Sequence, residues 1–550
     1  MSTSATRAVP RAAYFCMEYG LDAGFSIYSG GLGVLAGDTM KSVGDLKLPV
    51  VGIGLLWAQG YTTQRINASG HPEEGEIQDT ARDGLRPVDH PPIEVTIAGK
   101  TVPLCAYRVD RFTSATLYLL EPVNDDDRWI TRRLYGGTGD DRVAQEIVLG
   151  VGGVRLLRAL GEDIDVYHFN EGHAVFAGLE LVREQKAAGA TFDDAVAAVR
   201  QHIVFTTHTP VKAGNETHDI GLILKMGAGV GLDHGELDSL GGSPFSMTVA
   251  GLRLSRRANA VAELHGDTAR RMWAHVDGAA PIIAITNGVH APTWQDARIR
   301  AATVPDKPAA QRALALWAAH QTMKGELCDH IAARTGARLD PEKLLIGFAR
   351  RATAYKRADL IFGDDQQIEA MLGSGHLQLV FAGKAHPKDA AGNSLVARLV
   401  EASRRWPKSV VFLENYDMTL GALLTRGADV WLNNPRRPME ASGTSGMKAA
   451  MNGCLNASIL DGWWPEGCEH GVTGWQIGDA SGDALSGDIA TQDARDREAL
   501  YRVIESEIIP RYYEDRAAWI RMMEASIRMA SWRFSSDRMV EDYFDLLYAP

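Results

Sequence analysis

A single lysine follows a run of small residues in the last quarter of this chain. The run reads Glu440-Ala-Ser-Gly-Thr-Ser-Gly-Met-Lys448, and an apolar stretch continues after the lysine. Small residues leave backbone N–H groups open to an anion, and a helix beginning here would direct its positive end at a phosphate. A lysine in an apolar wall beside that phosphate has a lowered pKa, which suits Schiff-base formation with an aldehyde. Pyridoxal 5'-phosphate carries both groups; a glycine-rich turn with Lys448 exposed is the alternative.

A second group of charged residues follows a predicted buried strand. Arg350, Arg351, Lys356 and Arg357 place four cations within eight residues, directly after the apolar run 344–349. Such a density of charge is usually a solvated surface. Because an apolar strand leads straight into it, we favour a pocket mouth where guanidinium groups clamp a phosphate.

Three further polar clusters stand at predicted element ends. Ser29-Gly30-Gly31-Leu32-Gly33 leads into a predicted helix over residues 35–43, whose first N–H groups would suit a phosphate; a plain turn is the alternative. His208 ends a predicted strand and is either structural or part of a site. Asn287 precedes a glycine, a pair typical of turns, and its amide could equally bind a sugar hydroxyl.

Two other motifs allow competing interpretations. His168-Phe-Asn-Glu-Gly-His173 does not match the metal motif HExxH, so we favour a hydrogen-bonding loop and expect no metal. Trp463 and Trp464 could stack on sugar rings or belong to the core.

The elements that must position these residues are visible as alternating apolar runs and amphipathic stretches. That alternation is typical of a parallel sheet covered by helices on both faces, with ligands bound at the carboxyl ends of its strands. Further helices are predicted over residues 145–160 and 193–201. The predicted strands are residues 48–56, 203–206, 282–286, 344–349, 377–382, 410–413 and 430–432.

The length of 550 residues requires two or more domains, each with its own core. Residues 301–320, rich in alanine with two prolines, form the predicted hinge. We expect an N-terminal Rossmann-like domain over residues 1–300 with the sugar and phosphate loops. A C-terminal Rossmann-like domain over residues 301–520 would bind the cofactor, and a helical segment over 521–550 could pack back on the first domain.

Composition excludes several classes of partner. The net charge of −12 argues against nucleic acid and anionic membranes. No apolar run reaches membrane-spanning length, and the first ten residues lack the apolar core of a secretory signal. The five cysteines are scattered without a CxxC pair, which indicates neither a disulfide framework nor a zinc site. We therefore expect a cytoplasmic protein.

In this order, the clusters resemble the α-glucan phosphorylases, the family of glycogen, starch and maltodextrin phosphorylases. The run from Glu440 to Asn452 is similar to that family's pyridoxal phosphate signature, with Lys448 at the Schiff-base position. SGGLG, THTP, TNG, the Arg351-to-Lys356 block and ENY extend the resemblance over most of the chain. It implies an α/β fold of the GT-B type, in which two Rossmann-like doubly wound domains face each other with the active site in the cleft.

The resemblance carries roles to the matching positions. The expected catalytic set is Lys448, Arg351, Lys356 and His208. Lys448 would bind the cofactor, whose phosphate would be held by Thr444, Ser445, Arg350 and Tyr416. Substrate phosphate would be held by Gly30, Gly31, Arg351 and Lys356. The glucosyl unit would be contacted by His208, Asn287, Tyr355, Glu440, Ser442 and Gly443.

The implied reaction is retaining phosphorolysis. A terminal α-1,4-linked glucose of an α-glucan or maltooligosaccharide reacts with inorganic phosphate and leaves as α-glucose 1-phosphate. The phosphate of pyridoxal 5'-phosphate would help the substrate phosphate donate a proton, so the pair of catalytic carboxylates found in glycosidases is not needed. We expect no nucleic acid or membrane partner, and the sequence leaves open whether the protein forms a homo-oligomer.

The sequence also departs from the family pattern. Asp417 stands where the animal and plant enzymes have a basic residue, and Ser29 replaces an asparagine. The chain is shorter than those enzymes and begins almost at the first strand, which predicts the shorter bacterial branch without an N-terminal regulatory segment. Two alternatives remain: a GT-B glucosyltransferase using a nucleotide sugar, similar to glycogen synthase, and a non-catalytic carbohydrate-binding homologue. Lys448 in its full motif argues against the first. The second is disfavoured by a set of residues that occur together: Lys448, Arg351, Lys356, His208 and Glu440.

Overall fold

The computed structural model describes residues 9–210, 215–306, 308–479 and 488–549. The predictions about residues 1–8, including the lack of a signal sequence, lie outside this range. In chain order the strands are β1 (Ala12–Phe15), β2 (Val50–Leu55), β3 (Gln64–Ile66), β4 (Pro72–Glu74), β5 (Leu85–Pro87), β6 (Ile93–Ile97), β7 (Lys100–Val109), β8 (Thr116–Pro122), β9 (Val166–Asn170), β10 (Ile203–Thr206), β11 (Thr217–His218), β12 (Phe245–Ser246), β13 (Arg257–Ala260), β14 (Ile282–Ala284), β15 (Leu344–Ala349), β16 (Leu377–Ala382), β17 (Val410–Leu413), β18 (Val430–Asn433), β19 (Leu455–Ile459) and β20 (Gly474–Ile477).

The α-helices account for a large part of the remaining described chain. They are α1 (Gly31–Asp45), α2 (Gly139–Ile147), α3 (Gly153–Ala159), α4 (Phe176–Ala187), α5 (Phe192–Arg200), α6 (Ile220–Met226), α7 (His234–Gly241), α8 (Met247–Leu254), α9 (Glu263–Trp273), α10 (Ala291–Trp294), α11 (Ala297–Ala302), α12 (Ala309–Thr335), α13 (Asp365–Gly373), α14 (Ala390–Arg405), α15 (Met418–Gly427), α16 (Thr444–Met451), α17 (Trp464–Gly467), α18 (Ile489–Val503), α19 (Ile509–Glu514), α20 (Arg516–Arg533) and α21 (Ser536–Asp542). In the described residues, no helix combines the length and the apolar character needed to cross a membrane.

The chain forms two compact α/β units, so the α/β fold class expected from the sequence is confirmed. Unit 1 comprises Met1–Tyr61, Ile77–Thr286 and Ser536–Pro550; unit 2 comprises Thr62–Glu76 and Asn287–Ser535. These bounds differ from the limits near residues 300 and 520 expected from the sequence. The division falls where β14 ends, and the chain from Ser536 onward belongs to unit 1.

Unit 1 is built on a mostly parallel sheet. Its strand order is β14-β13-β10-β9-β1-β2-β8-β7-β5, with β6 paired to β7. The seven strands from β14 to β8 are parallel, while β5, β6 and β7 pair antiparallel at one edge. The chain order reverses between β1 and β9, which is where ligands bind in doubly wound sheets.

Unit 2 carries a fully parallel sheet with the strand order β17-β16-β15-β18-β19-β20. This is the Rossmann order, in which the third strand, the second and the first are followed by the fourth, fifth and sixth. All residues of β15, β16 and β17 are buried, as expected of strands covered on both faces. The chain order reverses between β15 and β18.

Most of the predicted strands and helices are confirmed, whereas the prediction of a hinge is wrong. Strands β10, β15, β16 and β17 have the predicted bounds, and the helix predicted over residues 145–160 is α2, a π-helical turn and α3. The predicted hinge over residues 301–320 instead includes the first turns of the 27-residue helix α12. Its alanines favour helix, and Pro308 stands at the N-cap, where proline does not interrupt the hydrogen bonds.

Candidate functional site

The chain order in the sheet of unit 2 reverses between β15 and β18. A loop that carries predicted site residues follows each of these two adjacent strands. Arg350 follows β15 directly, and Lys356 ends a 3₁₀ turn over Ala354–Lys356. Glu440 lies in the loop after β18, the strand that pairs with β15. Parallel strands present their carboxyl ends at one edge, so the fold places these three charged side chains together.

Glu440 accepts hydrogen bonds from two cations. Arg350 Nη2 lies 2.5 Å and Lys356 Nζ 3.0 Å from Glu440 Oε2. Glu440 is 8% exposed. Burial opposes ionisation of its carboxyl group, but Arg350 and Lys356 hold its pKa below the ordinary value. The three side chains carry a net positive charge next to a predicted phosphate site.

Arg350 also reaches the start of α16. Gly443 precedes this helix with a φ of +92°, which only glycine adopts readily, and the helix has no side-chain N-cap bond. A Cβ placed on Gly443 would lie 3.6 Å from Arg350 Nη2. Among the described residues, Arg350 Nη1 is buried without a hydrogen-bond partner. An unused guanidinium nitrogen beside the positive end of a helix fits an anion.

The residues opening α16 include several predicted site residues. Thr444 and Ser445 lie in its first turn, and Ser445 Oγ accepts a hydrogen bond from Trp431 Nε1 at 3.2 Å. Ser442 Oγ is buried and has no hydrogen-bond partner within the described chain. A buried hydroxyl of this kind is expected to meet a ligand group.

Lys448 lies on the buried part of α16. It is 8% exposed, and its Nζ lies 3.4 Å from the centre of the Trp294 indole ring. The apolar wall expected beside this lysine is therefore provided by Trp294. A buried amine, a helix N-terminus and the unpartnered Arg350 nitrogen fit a cofactor that carries an aldehyde and a phosphate.

Tyr416 and Asp417 have separate roles. Burial raises the pKa of Tyr416 to about 12, against the opposing effect of the nearby Arg350, so its hydroxyl stays protonated at neutral pH. Asp417 is the N-cap of α15 and accepts a hydrogen bond from Leu420 N at 2.8 Å. The acidic residue at this position thus stabilises the start of a helix.

The other predicted residues of unit 2 differ in their burial. Arg351 is exposed, and Tyr355 is half-buried. The ring of Tyr355 lies 4.9 Å from Lys356 Nζ. Asn287, the first residue of the main segment of unit 2, is buried.

In unit 1, the predicted glycine loop is held by a glutamate. Glu18 Oε2 accepts hydrogen bonds from Ser29 N at 2.6 Å, Ser29 Oγ at 3.0 Å and Gly30 N at 3.3 Å. Its other oxygen accepts from the Tyr135 hydroxyl at 2.8 Å. Ser29 therefore anchors the loop that precedes α1 at Gly31.

His208 follows β10 and is tied to the end of β9. Its Nε2 donates to Asn170 Oδ1 at 2.6 Å, and its backbone N donates to Glu171 Oε2 at 2.8 Å. Burial lowers the pKa of His208 to about 3, so the ring is neutral at physiological pH. Burial also raises the pKa of Glu171 to about 7.

The structure shows what surrounds the two motifs that allowed competing interpretations. His168 lies in β9, bonded to the Tyr548 hydroxyl at 2.9 Å and Thr206 Oγ1 at 2.6 Å, so it belongs to the core of unit 1. His173 lies in the turn that follows. Trp463 and Trp464 are 3% and 1% exposed, which excludes stacking on a sugar in this conformation.

Two carboxylates and a histidine in unit 1 have the spacing of metal ligands. Glu146, Glu216 and His218 place one ligand atom each within 4.8 Å of one another. However, Arg142 Nε lies 3.0 Å from Glu216 Oε1, and a guanidinium at this position already supplies the positive charge. Ion pairing within the protein accounts for the cluster.

Several residues of these surroundings are not evident from the sequence. Glu18, Glu171 and Asp461 follow β1, β9 and β19, and this position after a strand was the available signal. Asp461 Oδ2 accepts a hydrogen bond from Glu440 N at 2.9 Å. Trp294 had no comparable signal, because its contact with Lys448 joins segments far apart in the chain. The sequence places Arg357 in the group of four cations expected at a pocket mouth, whereas the structure bonds its side chain to Asn434 O.

Comparisons with known proteins agree on one family. A family profile described as carbohydrate phosphorylase matches residues 269–466. A maltodextrin phosphorylase from Thermococcus litoralis is 39% identical, covering 98% of this chain and 70% of that protein. Glycogen phosphorylases from Mycobacterium bovis and Aquifex aeolicus are 37% and 35% identical; the alignments cover 99% and 97% of this chain and 72% and 85% of those proteins.

Proposed function

Because the chain belongs to the carbohydrate phosphorylase family, we propose that it releases terminal α-1,4-linked glucose from an α-glucan or maltooligosaccharide as α-D-glucose 1-phosphate. The observation that carries this proposal is the cluster of Arg350, Lys356 and Glu440 at the sequence reversal of the sheet in unit 2. It combines cations suited to a phosphate with a carboxylate suited to sugar hydroxyls.

Inorganic phosphate would be held by Lys356 and Arg351. A guanidinium can hold two phosphate oxygens at once, and an ammonium adds a point charge. The backbone of Gly30 and Gly31 would contribute N–H groups at the start of α1. These charges offset the negative charge of phosphate in a chain whose net charge is −12.

Lys448 would hold pyridoxal 5'-phosphate, with Arg350, Thr444, Ser445 and Tyr416 around its phosphate. The fit rests on the unused Arg350 Nη1, the uncapped start of α16 and the burial of Lys448 against Trp294. When bound, this cofactor supplies a phosphate that exchanges a proton with the substrate phosphate. Tyr416 keeps its proton at neutral pH and can donate a hydrogen bond.

The glucosyl unit would be oriented through its hydroxyls. Glu440 would accept hydrogen bonds from the sugar hydroxyls, and the unpartnered Ser442 Oγ adds a buried hydroxyl. Neutral His208 offers one ring nitrogen as an acceptor, since its Nε2 already donates to Asn170. The remaining contacts would come from Asn287, Tyr355 and Gly443.

The proposed reaction needs no carboxylate as acid or nucleophile. A substrate phosphate proton moves to the leaving glycosidic oxygen as its bond to C1 breaks. A phosphate oxygen then forms the new bond to C1 on the same face, which retains the α configuration. The protein contributes position and positive charge to this exchange.

We further propose a cytoplasmic location. The five cysteines are free, and burial raises the pKa of Cys16 and Cys468 to about 12, which keeps both thiols protonated. Unpaired cysteines are typical of a reducing compartment.

A graded maltooligosaccharide series tests the proposal. The purified protein is incubated with each oligosaccharide, with and without inorganic phosphate, and glucose 1-phosphate is measured. Parallel incubations supply glycogen with a nucleotide sugar. We expect release of glucose 1-phosphate only with phosphate. Transfer from the nucleotide sugar alone would favour the glucosyltransferase, and inactivity in all incubations would favour a carbohydrate-binding protein.

A further inference from the structure

Arg357 is a buried arginine that joins the two loops of unit 2 described above. It follows Lys356 directly and is 2% exposed. Its Nε donates to Asn434 O and its Nη2 to Pro435 O, both at 2.8 Å. In return, Asn434 Nδ2 donates to Arg357 O at 2.7 Å. The loop after β15 is thus bonded to the loop after β18 by three hydrogen bonds through one residue.

The charge of Arg357 is balanced by helix α18. Its Nη1 donates to Asp493 Oδ1 at 2.8 Å, and its Nη2 lies 2.7 Å from Asp496 Oδ2. Two carbonyls and two carboxylates therefore surround one planar guanidinium. Only arginine can present donors in this fixed fork, because the single ammonium group of lysine is a compact point charge.

The backbone at Arg357 is held in an uncommon conformation. Its φ is +48°, in the left-handed region that costs a residue other than glycine some free energy. A backbone bond from Arg436 N to Tyr355 O at 2.8 Å ties the same two loops. The surrounding bonds therefore compensate the strain and hold the backbone on both sides of Lys356.

We infer that Arg357 is a positioning residue that sets the spacing between Lys356 and Glu440, and through it the affinity for phosphate. The inference rests on the proposed function, which assigns phosphate to Lys356. Lys356 Nζ lies 3.0 Å from Glu440 Oε2, and each partner lies in one of the loops that Arg357 joins. A shift of one loop would separate the ammonium from its place beside the substrate phosphate.

The test compares Arg357→Lys with the wild-type holoenzyme. The lysine keeps the charge and loses the simultaneous bonds to Asn434 O and Pro435 O. We expect KM for phosphate to rise roughly tenfold to a hundredfold, with KM for maltooligosaccharide at saturating phosphate within about twofold. A residue that only stabilises the fold would lower the amount of active enzyme and leave both KM values unchanged.

Arg436→Ala is the matched control. Arg436 also pairs with Asp493, at 2.6 Å and 3.0 Å, but its side-chain bonds do not reach the other loop. We expect its KM for phosphate to stay near the wild-type value. An equal rise in both variants, or no rise in Arg357→Lys, would overturn the inference.

Two additions keep the test decisive. Should Arg357→Lys fail to fold, Asn434→Ala removes the reciprocal bond to Arg357 O and should also weaken phosphate use. Titration calorimetry with inorganic phosphate needs no turnover, so it measures the inferred loss of affinity separately. Wild-type protein that forms no glucose 1-phosphate would refute the proposed function, whereas equal phosphate affinity in wild type and variant would refute the role of Arg357.

Discussion

Lys448 Nζ lies 3.4 Å from the centre of the Trp294 indole ring, although the two residues are far apart in the sequence. The contact is supported by bonds between their segments. Asn452 Nδ2 donates to Trp294 O at 3.0 Å, and Gln295 Nε2 donates to Met451 O at 2.9 Å. The end of α16 is thereby fixed against α10, which holds Lys448 beside Trp294.

Replacement of that lysine should remove the cofactor. We expect wild type to absorb at wavelengths longer than the protein band because of the bound cofactor. Lys448→Ala should lack this absorbance and be inactive. Borohydride should fix the cofactor on Lys448 in wild type, as peptide mapping would show. Lys408→Ala, at an exposed lysine of the same unit, is the control and should keep both absorbance and activity. Normal absorbance in Lys448→Ala would refute the assignment.

Arg351→Ala should weaken phosphate use far more than folding. The side chain is exposed, so its loss should change the midpoint of thermal unfolding by no more than about 2 °C. A hydrogen bond to a charged group contributes about 1.5 to 3 kcal/mol, which predicts a rise in KM for phosphate of about tenfold or more. Steady-state kinetics against phosphate measure this. Parallel losses of stability and activity would argue against a direct phosphate contact.

Glu440→Gln should leave phosphate affinity equal or higher, in contrast to Arg351→Ala. The substitution removes the negative charge that Arg350 and Lys356 share, so phosphate affinity should stay equal or increase. The sugar loses a charged acceptor, and kcat/KM for maltooligosaccharide should fall by about a hundredfold or more. Kinetics with each substrate varied in turn separate the two effects. A fall in phosphate affinity would contradict the proposed division of roles.

Asp461 should make stability depend on pH. Burial raises the pKa of this carboxyl to about 7 from an ordinary value of 3.8. Between these values the folded state holds a proton that the unfolded state has released, so stability falls as pH rises from about 4 to 7. Asp461→Asn cannot ionise, so its stability relative to wild type should increase by about 2 kcal/mol between pH 5 and 8. Denaturant unfolding at both pH values measures the change, and a constant difference would contradict it.

The sequence was sufficient for the strands of the parallel sheets. Strands such as β15 and β16 are buried on both faces, so they stand out as continuous apolar runs with the observed bounds. The hinge prediction failed because prolines at a helix start resemble a break. Pro308 is the N-cap of α12, and the alanines after it continue the helix.

The candidate site was predictable only where its signals are local. Lys448 and Glu440 belong to one short run, and Arg350 follows an evident strand. The contacts of Glu18 with the glycine loop and of Arg357 with Asn434 depend on which loops the fold brings together. A single sequence does not contain that pairing until the strand order is known.

The central claim is that phosphate, and not water, accepts the glucose. Its most direct test is ³¹P NMR of wild-type protein incubated with maltoheptaose and inorganic phosphate. We predict that the phosphate signal decreases while a signal of α-glucose 1-phosphate grows, with maltohexaose formed in equal amount. Formation of free glucose without any sugar phosphate, or of the β anomer, would contradict the account.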